Sequence, residues 1–240
     1  MISFDHVSFE YEKGTKVLDD ISFTISDGES VGLVGSNGAG KSSLMKVLLG
    51  LVPHTGNIFI DELELNKDNI PAIRSRLGFV MQNSDNQMFM PTVYEDIIFA
   101  PLNYGYSREE AEQRADAALR KLGIIDLKNR HNHKLSGGEK RMAAIATILA
   151  MEPKFILMDE PSSALDPYNR RLIINTINSL DKTKLITSHD LDMIMDTCSR
   201  VLLLSDGKLA ADGPADTILR DKELLEKNRM ELPLSLARTV

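Results

Sequence analysis

The chain predicts an α/β fold in which a largely parallel sheet is covered by helices and a Gly-rich loop cradles phosphate. Three observations carry this reading. The apolar run Ser30-Val31-Gly32-Leu33-Val34 feeds directly into Gly35-Ser36-Asn37-Gly38-Ala39-Gly40-Lys41-Ser42, and Ser42 to Leu49 continues as a helical pattern ending near Gly50. Strand, loop and helix in that order are the context in which backbone N–H groups wrap phosphate oxygens, a Lys reaches the outer phosphates and a Ser ligates Mg²⁺. After Ala150, short apolar runs alternate with helical patterns: Phe155 to Met158, a helix beyond Pro167, Lys184 to Thr187, a helix from Leu191, then Val201 to Leu204. That is the rhythm of a parallel sheet. Finally, Ile2 to Phe9 and Ile21 to Ile25 alternate apolar and polar residues with the period of half-buried strands, and Asp27-Gly28 marks the turn that ends this opening β layer.

No Pro/Gly/Ser-rich linker divides the 240 residues, so residues 1–240 are expected to form one unit. Residues from about 91 to 150 read as a mostly helical insert, with Arg108 to Leu122 an amphipathic helix stopped by Gly123, and residues from about 214 to 236 as a short helical tail. Hydrophobic content of 42% with 26% charged residues is ordinary for a globular protein, and the apolar runs are far shorter than a bilayer span. The N-terminus lacks the basic and apolar stretches of a secretory signal, which predicts a cytoplasmic location, with any membrane role supplied by a partner. A net charge of -7 argues against nucleic acid as a partner. Cys198 stands alone, is expected to be a small buried apolar residue, and leaves no disulfide framework within the chain.

The phosphate loop, Gly35 through Ser43, is the most specific of the chemical signals. A Gly-rich turn explains the glycines but not Lys41 followed by Ser42. Phe155-Ile156-Leu157-Met158-Asp159-Glu160 is an apolar strand ending in two acids, with Asp159 suited to the Mg²⁺ side and Glu160 to polarising the attacking water. Leu135-Ser136-Gly137-Gly138-Glu139 reads as a capping box. A capped helix start flanked by two glycines also presents N–H groups and a dipole to an anion. His189 after Leu185-Ile186-Thr187-Ser188 is weak evidence in isolation, and His131 with His133 lack a third metal ligand.

In order along the chain, Gly35 to Ser42, Gln82, Leu135 to Glu139, Phe155 to Glu160, Ser163-Ala164-Leu165-Asp166 and His189 resemble the ATP-binding cassette (ABC) ATPases over nearly the whole length. The resemblance implies a P-loop NTPase fold of ABC type, with a mixed sheet core, an antiparallel β layer and an inserted helical subdomain. It implies that the chain binds and hydrolyses ATP with Mg²⁺. Tyr11 would stack on adenine, Ser42, Gln82 and Asp159 would face Mg²⁺, Gln82 would also act catalytically by sensing the attacking water, Glu160 and His189 would act at the γ-phosphate, and Asp166 would cross a dimer interface. Ser136, Gly137 and Gly138 would serve a nucleotide held by the other protomer of a head-to-tail dimer. The commonest family signature ends in Gln where this chain has Glu139.

Gln82-Asn83-Ser84-Asp85-Asn86-Gln87-Met88-Phe89, with Pro91-Thr92-Val93 and Phe99-Ala100-Pro101-Leu102-Asn103, looks like the energy-coupling factor ATPases, and the ending from Glu223 to Leu236 looks like their cobalt and nickel branch. Such ATPases would pair as homodimers or with a related ATPase on the cytoplasmic face of the membrane. They would dock on an integral membrane coupling subunit and, through it, serve a substrate-binding membrane subunit. Met81, Met88, Met90 and Phe89 would suit an adaptable docking groove, or equally ordinary core packing. The alternatives are a vitamin importer of the same type and an ABC clamp acting on nucleic acid. The second usually brings coiled-coil insertions, zinc cysteines or tandem cassettes, which this sequence lacks.

Overall fold

A computed structural model describes residues 1–237. Strands β1 (Ile2–Glu12) and β2 (Thr15–Ile25) form an antiparallel hairpin and run further than their apolar alternation, with backbone pairing continuing through exposed residues to the turn, where the Gly14 amide donates to Glu10. Strand β3 (Ser30–Val34) leads through the Gly-rich loop into α1 (Lys41–Leu48). Strands β4 (Thr55–Ile60) and β5 (Leu63–Glu64) extend the hairpin into a four-stranded antiparallel sheet of order β2-β1-β4-β5. Helix α2 (Ile70–Arg76), with Pro71 in its first turn, delivers the chain to β6 (Leu77–Val80).

Three helices follow: α3 (Val93–Asn103), α4 (Arg108–Lys121) and α5 (Gly137–Leu149). Each opens with a reciprocal capping box, Thr92 with Glu95, Ser107 with Glu110 and Ser136 with Glu139, so the sequence marks all three starts. The chain then alternates β7 (Phe155–Asp159), α6 (Pro167–Ser179), β8 (Thr183–Thr187), α7 (Leu191–Thr197) and β9 (Arg200–Ser205). Strand β10 (Lys208–Pro214) and the short helices α8 (Ala215–Arg220), α9 (Lys222–Lys227) and α10 (Leu234–Ala237) complete it.

The second sheet has the order β10-β9-β3-β8-β7-β6, parallel throughout except for the antiparallel edge strand β10. Its central strands are buried on both faces: β3 and β7 are mostly apolar runs, while buried β8 carries polar residues such as Lys184, whose Nζ donates to the Ile177 and Leu180 carbonyls. One face packs against α3 to α7 through Ile97, Leu119, Ile145, Ile173 and Ile194. The other packs with the antiparallel sheet around α1, whose Leu44, Met45, Val47 and Leu48 are fully buried. Cys198 is buried and free, as its sequence context suggested. Among the described residues no helix is long and apolar enough to cross a membrane.

This layering decides where chemistry can occur. The carboxyl ends of β3, β6, β7 and β8 lie side by side, and the residues just beyond them are Gly35, Met81 and Gln82, Glu160, and His189. In an open α/β sheet that edge is where ligands bind.

Candidate functional site

A cleft of about 390 Å³ at this edge is lined by Asn37 through Ser43, Val17, Gln82, Asp159, Glu160 and His189. The loop that forms its floor depends on Gly40, which has φ +109 and whose added Cβ would come 2.9 Å from the Val17 carbonyl. No side chain caps α1, so its first-turn amides and positive dipole end stay available to an anion. Lys41 is 8% exposed, and its Nζ donates to the Gly35 carbonyl at 2.7 Å and the Ser36 carbonyl at 3.2 Å. Burial holds its ammonium below the usual lysine range, while the charges of Glu160 and Asp159 oppose that shift.

The acidic wall is built by a hydrogen-bond relay from β8. Thr187 Oγ1 donates to Asp159 Oδ1 at 2.5 Å, and the Glu160 amide donates to the Thr187 carbonyl at 3.1 Å. Glu160 sits at φ +48, a left-handed backbone that a non-glycine residue adopts at a cost. Its Oε2 accepts from Ser188 Oγ at 3.3 Å and from the His189 amide at 3.2 Å. Its Oε1 is buried without a hydrogen-bond partner. A buried carboxylate oxygen left unpaired in a cleft is an acceptor set aside for a donor from outside the chain, such as a water or a ligand hydroxyl.

The oxygens available for a metal are the Ser42 hydroxyl, the Gln82 amide oxygen and the Asp159 carboxylate, all lining this one cleft. Hard oxygen donors with a single carboxylate suit Mg²⁺, whose remaining positions are usually filled by phosphates and water. Among the described residues no group of three or more His, Cys, Asp and Glu could hold a metal by itself. The cleft therefore fits Mg²⁺ bound together with a nucleotide. His131 and His133 lie exposed on the surface with ring centroids 5.4 Å apart and ring planes tilted by 31°.

Tyr11 is 58% exposed, packs edge-on against Phe9 and places its hydroxyl 3.4 Å from Ser43 Oγ. Its ring is thus presented at the rim of the cleft through α1. Gly35 and Ser36 line the neighbouring cavity that shares Asn37 and His189 with the cleft, whereas Ser136, Gly137, Gly138 and Asp166 line neither. Ser136 and Gly137 are exposed at the start of α5, and Gly137 has open space where a Cβ would be. Gly138 is packed on Asn169, and Asn169 in turn donates to Asp166 through its amide at 2.9 Å and its side chain at 2.5 Å. The Ser-Gly-Gly turn and Asp166 are therefore joined through Asn169.

Glu139 adds a negative charge where the commonest family signature has Gln, and that charge is held within its own helix end. Its carboxylate accepts from the Ser136 amide at 2.8 Å and pairs with Arg130 Nη1 at 2.6 Å. The backbone hydrogen bond from Ser136, aided by Arg130, lowers its pKa against a small burial cost. The side chain is committed to its own helix end.

Of the four residues weighed between a docking groove and core packing after Gln82, Phe89 lines a groove and Met88 packs in the core. None of Met81, Met88 and Met90 lines that groove. The groove, about 270 Å³, is lined by Phe79, Phe89, Phe99, Tyr104 and Met151, with Phe89 and Phe99 edge-on at 4.9 Å. Sequence reading also missed Thr187 and the bidentate pair of Arg170 with Asp190, at 2.5 and 2.8 Å, which ties α6 to the residue after His189. Burial pushes the Asp190 pKa up, but the Arg170 hydrogen bond and charge, with hydrogen bonds from the Met193 amide and Ser162, together leave it lowered. Thr187 could have been found from its position two residues before His189. Arg170 carries no local signal, because its partner is on another element.

The ABC transporter family model matches residues 18–163. A putative ABC transporter ATP-binding protein of Geobacter sulfurreducens is 46% identical over 94% of this chain and 91% of its own length. The energy-coupling factor transporter ATP-binding protein of Methanothermobacter thermautotrophicus is 41% identical over 97% of this chain and 77% of its own. Among solved structures, cbiO1 from Clostridium perfringens, part of the ABC transporter complex cbiONQ, superposes with a TM-score of 0.86 at 31% identity, covering 99% of this chain and 98% of that one. A dimeric ATP-binding cassette in a post-hydrolysis state bound to ADP and Pi superposes with a TM-score of 0.79 at 29% identity, covering 90% and 99%. With a phosphate loop, paired acids and a buried lysine in one cleft, and with these relatives, the chain belongs to the ABC transporter family as an ATP-binding, ATP-hydrolysing subunit of energy-coupling factor type.

Proposed function

We propose that two copies of this chain, or this chain and a related ATPase, close head to tail over two ATP molecules and so drive an importer for cobalt or nickel. The observation that carries the dimer is the separation of two anion-binding helix starts on one chain. The cleft holds the Lys41 loop, while the Ser136–Gly138 turn lies outside it, exposed and joined to Asp166 through Asn169. An exposed, well-capped helix start with glycines at its first positions suits the triphosphate of a facing subunit.

Within each site, Lys41 and the α1 amides hold the β- and γ-phosphates. Glu160 accepts the proton side of the attacking water through its unpaired Oε1, and His189, 3.6 Å from that oxygen, orients the same region. When bound, Mg²⁺ would neutralise phosphate charge beside Ser42, Gln82 and Asp159. Positioning and charge stabilisation are most of what phosphoryl transfer asks of a protein.

The exposed Phe89 and Phe99 pair, 62% and 41% accessible, suits the coupling helices of a membrane subunit, which would keep the chain at the cytoplasmic face. Cobalt or nickel as cargo rests on the likeness to cbiO1 and on the chain's C-terminal pattern. Co-expression with its membrane partners tests both levels. Detergent extracts should retain the ATPase on an integral membrane subunit, and Phe99→Asp should release it while ATP hydrolysis by the free chain persists. Uptake assays with radiolabelled cobalt, nickel and vitamins then choose the cargo. Recovery with nucleic acid alone would replace the transport reading with the clamp reading.

A further inference from the structure

Residue Met81 is tied to α5 on both sides, directly through Arg141 and indirectly through Gln87. Its amide donates to Gln87 Oε1 at 3.0 Å, and its carbonyl accepts from Arg141 Nη1 at 2.6 Å. The next carbonyl, that of Gln82, accepts from Arg141 Nη2 at 2.6 Å. Gln87 is itself fastened to α5, because its Nε2 donates to the Ala144 carbonyl at 2.8 Å and to Thr147 Oγ1 at 3.0 Å. Three bonds to two adjacent residues thus all return to one helix, the helix that begins at the Ser136–Gly138 turn.

Arg141 is costly for the fold to keep. It is 4% exposed, its Nε is buried without a partner, and among the described residues it forms no salt bridge, the charge of Asp159 acting on it only from beyond that distance. For a buried guanidinium without a salt bridge, the planar fork can do something an apolar residue cannot. Here the fork matches two successive backbone carbonyls. One of those belongs to the residue whose side chain lines the nucleotide cleft beside Asp159 and Glu160.

We infer that Arg141, with Gln87, is a positioning residue that fixes the Met81–Gln82 backbone to α5, so that any displacement of the Ser136–Gly138 turn moves the Gln82 side chain in the chain's own cleft. The turn that faces one nucleotide and the glutamine that faces the other are then two ends of one rigid lever. A helix of this length transmits such a shift without bending, and the fork allows little slack between it and the loop. The inference rests on the proposed role of Gln82 at the metal and water.

The full-length chain is tested as Arg141→Met, Arg141→Lys, Gln82→Ala and the double variant Gln82→Ala with Arg141→Met. Readouts are amide hydrogen exchange over residues 81–87, ATP affinity without Mg²⁺, and the kcat, KM and Mg²⁺ dependence of hydrolysis. In Arg141→Met, exchange at the Met81 amide should rise about tenfold, kcat should fall about tenfold, and the Mg²⁺ concentration for half-maximal rate should rise about tenfold. ATP affinity without Mg²⁺ and KM for ATP should stay within about twofold, because no phosphate contact is lost. Arg141→Lys, which keeps the charge and can reach one carbonyl, should restore part of both exchange protection and kcat, and it carries the comparison if the Met variant folds poorly. The double variant should be no slower than Gln82→Ala alone. A double variant in which the two losses multiply, or a harmful Gln82→Ala beside an Arg141→Met that exchanges and turns over like the parent, overturns the lever. A silent Gln82→Ala together with raised exchange in Arg141→Met instead overturns the role given to Gln82 and upholds the backbone clamp.

Discussion

Glu160 and His189 hold each other through two contacts: the His189 amide donates to Glu160 Oε2 at 3.2 Å, and His189 Nε2 lies 3.6 Å from Glu160 Oε1. The first contact fixes the carboxylate plane. The second leaves Oε1 facing the cleft with no hydrogen bond of its own. A carboxylate locked on one oxygen and free on the other is pre-organised to take a single further donor, which is the requirement for orienting one water.

Glu160→Gln keeps the shape and the amide contact while removing the base. ATP binding should persist, and hydrolysis should slow by at least about a hundredfold. Nucleotide binding and steady-state turnover measured on the same preparation decide it; turnover near that of the parent would remove Glu160 from its assigned place.

Ser136→Arg puts a long cation at an exposed turn outside the cleft. ATP binding by the isolated chain should be nearly unchanged, while ATP-induced dimerisation of a Glu160→Gln background, followed by light scattering, should be lost. Equal loss of binding in the monomer would mean that the turn belongs to the chain's own site.

Lys41 is the main cation of the phosphate loop, and burial lowers its pKa from 10.5. Because the charged form binds the triphosphate, ATP affinity should begin to fall with rising pH below that ordinary value, once the free protein's ammonium deprotonates. Lys41→Arg, if it folds with the loop intact, should show no such decline, since a guanidinium stays charged across the range. Calorimetric titrations from neutral to alkaline pH make the comparison, and a flat parent curve would contradict the assignment.

Glu139→Gln preserves the capping geometry but removes the pair with Arg130, whose two side chains are 43% and 34% exposed. The solvent-screened loss should be at most about 1 kcal/mol in unfolding free energy. The sign follows from the lowered carboxyl pKa: its contribution is present above the ordinary value of 4.5 and vanishes as pH falls through the folded value. Denaturant melts of parent and variant should therefore differ near neutral pH and converge in acid, with ATP hydrolysis alike in both.

Much of this molecule is written locally. The run from Ser30 to Ser42 specifies strand, loop and helix by itself, because apolar burial, glycine dihedrals and a missing cap act within a few residues. Capping boxes announce α3, α4 and α5 in the same way. Strands β4, β6 and β10 were not legible, since β6 is only Leu77–Val80 and β10 alternates half-buried and exposed residues along a sheet edge. The family resemblance supplied roles for Gln82, Asp166 and His189 that their neighbours alone do not carry.

The sequence alone determined the phosphate loop, the paired acids and the class of chemistry, because each is a short stretch whose backbone and side chains act together. Tertiary structure decided which of them share a cleft, that Ser136–Gly138 stands apart from it, and that Phe89 and Phe99 line the neighbouring groove while Met81, Met88 and Met90 do not. It also decided that Arg141 reaches across about 60 positions to hold Met81 and Gln82. Such bonds depend on where helices and strands pack, and a side chain reaching a distant carbonyl leaves no pattern in the residues around either end.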